Sequence, residues 1–145
     1  MSIQTFAPAT QRYAATAARV LLGLMFFVSG LDGFLHFIPQ PTEMPSEGAM
    51  ALAIALMKSG YMFPLIKGTE VTVGALLLTN RLVPLALVLL APVSVNIFAF
   101  HACLAPSGVV LAAAIIAIQI YLAWTYRSAY RPLLTLRTPA PWARD

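Results

Sequence analysis

Charge is what this sequence has least of. Only 10% of its 145 residues are Asp, Glu, Lys or Arg, while 60% are hydrophobic. An ordinary soluble domain carries roughly 25% charged residues, so this chain cannot clothe a water-facing surface and has the composition of a membrane protein. Cysteine is almost missing too. The single Cys103 excludes an intramolecular disulfide, a CxxC redox pair and a cysteine zinc cluster. No HExxH and no ExxH repeat is present, so no motif announces a metal. The net charge of +4 has no basic face behind it: the cations are separated by long apolar runs without interleaved aromatics, which argues against a nucleic-acid partner.

What the chain does have is apolar runs with sharp polar punctuation. At this length one domain is expected, residues 1–145, and spans of about 20 residues consume nearly all of it. The predicted fold is an all-α membrane protein with four transmembrane helices, over 17–38, 63–79, 82–100 and 108–126, in an antiparallel bundle. The first apolar run resembles a signal peptide at its start. It continues well past Gly30 without a small-residue cleavage site, which favours an uncleaved span. Pro39, Pro41 and Pro45 then end that helix, because proline has no amide proton and disfavours helical geometry in the residue before it.

Residues 46–59, SEGAMALAIALMKS, are helical in character but too short to span, so an interfacial helix is expected there. Ser46 is its expected N-cap and Gly60 its stop. Asn80 and Arg81 make a tight link that requires antiparallel neighbours. Pro92 should kink the third span and free a backbone carbonyl one turn earlier, and Ser107 is the expected N-cap of the fourth. Trp124, Tyr126 and Tyr130 sit where an aromatic belt would anchor the fourth span, with Tyr13 doing the same for the first.

The arginines set the expected orientation. Arg12, Arg19, Arg81, Arg127, Arg131, Arg137 and Arg144 all fall on one side of this arrangement, and Glu43, Glu47 and Lys58 on the other. By the positive-inside rule both termini and the link between the second and third spans face the cytoplasm in a multi-pass membrane protein.

Within the spans, a few polar residues stand out against the lipid-like background. The segment KGTEVTVGALLL, residues 67–78, puts Lys67 and Glu70 three residues apart in an apolar helix. Ionisable groups within a span are costly and normally face a protein interior or a wet cavity. Counting 1.5 Å of rise per residue from the outer helix ends puts Lys67 about 6 Å deep, Asp32 about 9 Å and Glu70 about 10 Å, with His36 and Asn96 at comparable or shallower levels and His101 at the rim. Ser29, Asp32 and His36 have the spacing of one helix face, and so do Lys67, Glu70 and Gly74. Gly23 and Gly30, and the pair Gly68 and Thr72, offer small surfaces for close helix contact.

The expected result is a polar pocket opening outward. Its candidate proton-exchanging residues are Glu70 and His36, and its candidate binding residues are Lys67, Asp32, Asn96, His101 and Ser29. The same groups also have a structural reading, as ion pairs and hydrogen bonds that hold helices in register. A metal held by Asp32, His36, Glu70 and His101 is chemically conceivable but has only the spacing of Asp32 and His36 behind it.

The runs ARVLLGLMFFVSGL, GFLHFIPQP, SGYMFPLIKGTE and NRLVPLALVLLAPVSVNIFAFH, spread over residues 17–134, resemble the DoxX-like family of small four-helix bacterial membrane proteins. Glu70 matches the acidic position of that family's second helix, whereas Asp32 departs from the family pattern. The resemblance implies a membrane subunit of a redox or quinone-linked system, with a quinone as the implied cofactor and a soluble or membrane oxidoreductase subunit as the implied partner. A competing expectation is a protein that binds a lipid or sterol-like amphiphile, and a third is a purely structural or assembly subunit.

Overall fold

The computed structural model describes residues 9–39 and 46–134. The expectations placed on Pro41, Glu43, Pro45, Arg137 and Arg144 lie outside these residues. Every regular element among the described residues is helical: α1 (Ala9–Leu35), α2 (Glu47–Lys58), α3 (Met62–Leu78), α4 (Val83–Cys103), α5 (Val109–Thr125) and a short α6 (Arg127–Tyr130), with a 3-10 turn at Pro106–Gly108.

Three helices are long and apolar enough to cross a membrane: α1, α4, and α5 together with its preceding turn. The protein is therefore of the multi-pass membrane type. The fourth expected span is different in kind. At 17 residues α3 rises about 25 Å, short of a hydrocarbon core of roughly 30 Å, and it meets α2 at a bend of 91°.

The ends of α1 depart from expectation in an informative way. The helix begins by Ala9 rather than at residue 17, since residues 9–18 are rich in alanine, the best helix former, and Thr16 donates its hydroxyl to the Arg12 carbonyl at 3.0 Å. It stops at Leu35 rather than 38. His36 takes the left-handed conformation with φ of 52°, its amide donates to the Asp32 carbonyl at 2.8 Å, and the Asp32 carboxylate accepts from the Ile38 amide at 2.7 Å. His36 therefore lies off the helix, and the predicted stripe Ser29, Asp32, His36 is cut at its last member.

The punctuation of α2 follows the sequence. The Ser46 hydroxyl accepts from the Ala49 amide at 3.2 Å as an N-cap, and Gly60, with φ of 75°, supplies the left-handed residue that ends the helix. The other expected cap is not made. Ser107 lies inside the 3-10 turn, and α5 starts after Gly108 without a side-chain cap, because Pro106 opens a tighter turn first.

The closest seam lies between α1 and α3, whose contacts run in opposite chain sense. Gly23 meets Leu77 and Leu78, Gly30 meets Val71, and Gly33 meets Lys67. A Cβ added at Gly30 would sit 2.7 Å from the Val71 amide nitrogen, and one at Gly74 would sit 2.5 Å from the Phe27 nitrogen. Backbones this near one another gain dispersion over a long face, which is how helices associate where no hydrophobic drive separates protein from lipid. Gly68 and Thr72 do not take part: nothing lies within 4 Å of a Cβ at Gly68, and Thr72 is exposed with its hydroxyl on the Gly68 carbonyl. They sit on the opposite side of α3 from the partner that needs small residues.

The apolar core joins this seam to α4 and α5 through Leu22, Phe26, Leu77, Leu87, Leu90 and Leu122. At the arginine-bearing end, buried Arg19 donates to the carbonyls of Leu77 and Leu78 and so caps the C-terminus of α3, where a cation also meets the negative end of the helix dipole. Arg127 lies 5.2 Å from the Trp124 ring centroid, and the Tyr130 hydroxyl donates to the Pro84 carbonyl at 3.2 Å. Burial first, and the neighbouring Tyr126 second, raise the Tyr130 phenol above its ordinary pKa.

Candidate functional site

The predicted polar residues separate into two groups on different helix pairs. The first lies on the α1–α3 seam. Glu70 is 3% exposed, and its carboxylate accepts from the Lys67 ammonium at 2.8 Å and the Ser29 hydroxyl at 3.1 Å. The Lys67 ammonium also reaches the Ser29 hydroxyl at 3.3 Å and the Ser29 carbonyl at 3.4 Å. Gly33 makes the arrangement possible, since a side chain there would strike the methylene stem of Lys67. The i, i+3 spacing of Lys67 and Glu70 brings the two charges together along α3, and the missing Cβ on α1 lets the pair lie against Ser29.

Asp32 is engaged locally, closing the exit of α1. His36 is exposed and makes no side-chain hydrogen bond among the described residues. The structure thus joins Ser29, Lys67 and Glu70 and leaves Asp32 and His36 to the helix terminus. Among the described residues no three His, Cys, Asp or Glu side chains gather as a metal would need, so the set Asp32, His36, Glu70 and His101 is not assembled.

The second group lies on α4. Asn96 and His101 line a pocket of about 420 Å3 between α2, α3 and α4, whose remaining walls include Leu52, Leu56, Phe63 and Phe100. Glu70, Lys67 and Ser29 are not among its lining residues. His101 closes the turn after α4, with Nδ1 3.0 Å from the Ala105 carbonyl oxygen. A carbonyl can only accept, so Nδ1 carries a proton, and in the neutral form of the ring Nε2 is the acceptor. Phe100 holds the ring edge-on, with centroids 5.3 Å apart. Gly108 leaves the space the imidazole occupies, since a Cβ there would overlap it. Asn96 is exposed along a membrane-spanning helix and its amide has no hydrogen-bond partner among the described residues.

Several residues that matter here carry little signal in the sequence. Arg19 reads as a topology marker but serves as a helix cap. Gly33 and Gly74 read as ordinary small residues. Ser94 is 1% exposed, and its hydroxyl has no partner. Its place two residues after Pro92 was the available clue, since the expected freed carbonyl calls for polar company. Gln119 supplies part of that company, donating to the Leu87 carbonyl at 2.9 Å, one residue before the carbonyl of Val88 that Pro92 cannot serve.

Among the described residues the protein is all-helical, with three helices long and apolar enough to cross a membrane, one satisfied ionic cluster on the α1–α3 seam and one open, largely apolar pocket edged by Asn96 and His101. No family model, curated protein or solved structure matches the chain.

Proposed function

We propose that this chain is a four-span protein of the bacterial inner membrane that binds the head of a quinone or a quinone-like amphiphile in the α2–α3–α4 pocket, as a membrane subunit of a redox system of the DoxX-like kind. The observation that carries this reading is the unpartnered Asn96 amide facing an otherwise apolar pocket beside His101. An amide left open at membrane depth costs free energy until something polar meets it. Asn96 donates to a ring carbonyl, and Nε2 of His101 accepts from a ring hydroxyl, which suits a head that alternates between carbonyl and hydroxyl. The apolar walls take the tail, and about 420 Å3 is within the usual range of small-molecule sites.

In this reading α3 is the fourth span, its shortness made up by the bend into an α2 that lies at the interface. The arginine-rich end, with Arg19, Arg81 and Arg127, faces the cytoplasm together with both termini, and the pocket opens in the outer leaflet. Glu70, paired to Lys67 and Ser29, holds α1 against α3 beneath it. His36 stands at the exposed exit of α1, outside the lining of the pocket.

The test is binding of a short-chain benzoquinone to purified protein in nanodiscs, read by thermal shift and by displacement of any co-purified quinone in mass spectrometry. Asn96→Leu abolishes the shift and leaves the melting temperature of the unliganded protein unchanged. Normal quinone binding by Asn96→Leu, or retention of a lipid insensitive to redox state, overturns the quinone reading in favour of a lipid-binding one.

A further inference from the structure

The end of the bundle away from the α2–α3–α4 pocket carries charge of one sign. Among the described residues it holds Arg12, Arg19, Arg81, Arg127 and Arg131, while the acids lie elsewhere: Asp32 at the exit of α1, Glu47 at the start of α2, and Glu70 midway along α3, paired to Lys67. Two of the arginines are already engaged. Arg19 is buried against the end of α3, and Arg127 donates to the Trp124 carbonyl at 3.1 Å while lying over the Trp124 ring. Arg81 and Arg131 are exposed, and neither side chain has a hydrogen bond or ion pair among the described residues.

These two arginines adjoin opposite walls of one groove. A space of about 290 Å3 lies between the start of α4 and α6, lined by Leu82, Pro84, Leu85, Val88, Ala129 and Tyr130. Arg81 directly precedes Leu82 and Arg131 directly follows Tyr130, so each Cα stands about 3.8 Å from that of a lining residue. The walls are tied together by the Tyr130 hydroxyl, which donates to the Pro84 carbonyl at 3.2 Å. The link that carries Arg81 is held tight as well: Asn80 and Leu82 are both left-handed, with φ of 57° and 48°, and the Arg81 amide donates to the Leu76 carbonyl at 2.9 Å. On the other wall Arg127 and Arg131 are four residues apart on helical backbone, which brings like charges one turn from each other with no acid between them.

From Leu82 to Val88 the groove climbs about 9 Å along α4, from the polar end into the apolar span. Leu85 and Val88 are exposed along it, and Trp124, 69% exposed beside Arg127, marks the level of the lipid headgroups. A slot that is apolar along its length and cationic at its mouth is complementary to an anion that carries a hydrocarbon chain. A zwitterionic lipid brings its own cation against the arginines, and a neutral amphiphile engages only the walls. Guanidinium groups are suited to phosphate, which they meet with paired N–H donors.

We infer that the groove between the start of α4 and α6 is a binding site for an anionic phospholipid of the surrounding membrane. Its phosphate rests at the mouth on Arg81 and Arg131, with Arg127 one turn away, and one acyl chain lies along Leu85 and Val88. The site is at the opposite end of α4 from the α2–α3–α4 pocket and does not depend on what that pocket binds.

The experiment is native mass spectrometry of the full chain in detergent, titrated with phosphatidylglycerol or phosphatidylcholine of the same acyl chains. The first phosphatidylglycerol binds at least about tenfold more tightly than phosphatidylcholine, and Arg81→Gln and Arg131→Gln each weaken it about fivefold. Arg12→Gln, which removes the same charge at the same end but from outside the groove lining, leaves it unchanged. Because these three side chains have no partner among the described residues, the variants keep the melting temperature of the parent chain. Leu85→Trp fills the slot without altering charge, and it also weakens phosphatidylglycerol binding. Equal binding of the two lipids overturns the assignment, and so does phosphatidylglycerol binding that survives Leu85→Trp or both groove-arginine substitutions. An equal loss in Arg12→Gln also overturns it, in favour of diffuse surface charge.

Discussion

The α1–α3 seam and the two faces of α4 treat polar groups in opposite ways. On the seam the charges are formal, yet every one is answered: Lys67 and Ser29 meet Glu70, and Arg19 meets the end of α3. Along α4 the polar groups are neutral, yet Asn96 and Ser94 are left open. A buried charge without a partner is too costly to keep, whereas an unpaired neutral amide or hydroxyl costs less. The residues that draw the eye in the sequence are thus the ones that hold helices together, and the quieter ones face the cavities.

The sharpest way to break this contrast is at the seam. Gly74→Leu forces a side chain into the Phe27 backbone, and the expected loss is about 3 kcal/mol or more, seen as a collapse of the melting temperature in detergent. A mild effect there would mean that the seam is not the tight contact described.

Lys67→Met ranks next. It strips the charged donor from a buried carboxylate and should cost about 1–3 kcal/mol, with quinone binding retained in whatever protein stays folded. Loss of binding without loss of stability would move Glu70 and Lys67 from the structural side of the comparison to the functional one. Glu70→Gln is gentler, because the amide oxygen still accepts from Ser29; a drop of about 1 kcal/mol is expected.

Asn96→Leu should change stability by less than about 0.5 kcal/mol, since the amide has no partner to lose, and should act on ligand binding alone. A large destabilisation would show that Asn96 holds the bundle and would erase the contrast.

Much of the fold was legible because lipid leaves so few choices. Apolar runs bounded by proline, glycine and arginine mark helices in any membrane chain, and Ser46 and Gly60 mark the ends of α2 through backbone chemistry that acts over a single turn. The end of α1 was misplaced by a few residues. Phe37 and Ile38 are as apolar as a helix interior, and only the Asp32 carboxylate, by taking the Ile38 amide, shows that the chain has already turned. That local bond also removed His36 from the face it was expected to share with Ser29.

The site divided along the same line. The pairing of Lys67 with Glu70 is a matter of helical period, so their spacing determined it, and the membrane character of the chain follows from composition alone. Depth along a span can also be counted from sequence, and it placed Glu70, Asp32, Asn96 and His101 in one layer. What depth cannot give is azimuth, the direction in which each helix turns its polar side. The tertiary structure decided that, because the glycine contacts rotate α3 until Lys67 and Glu70 meet Ser29, while the packing of α4 turns Asn96 and His101 toward α2 and Ser94 toward α5. Rise per residue belongs to the backbone and is the same in every helix; rotation belongs to the partners a helix packs against, and those are set by side chains far away in the chain.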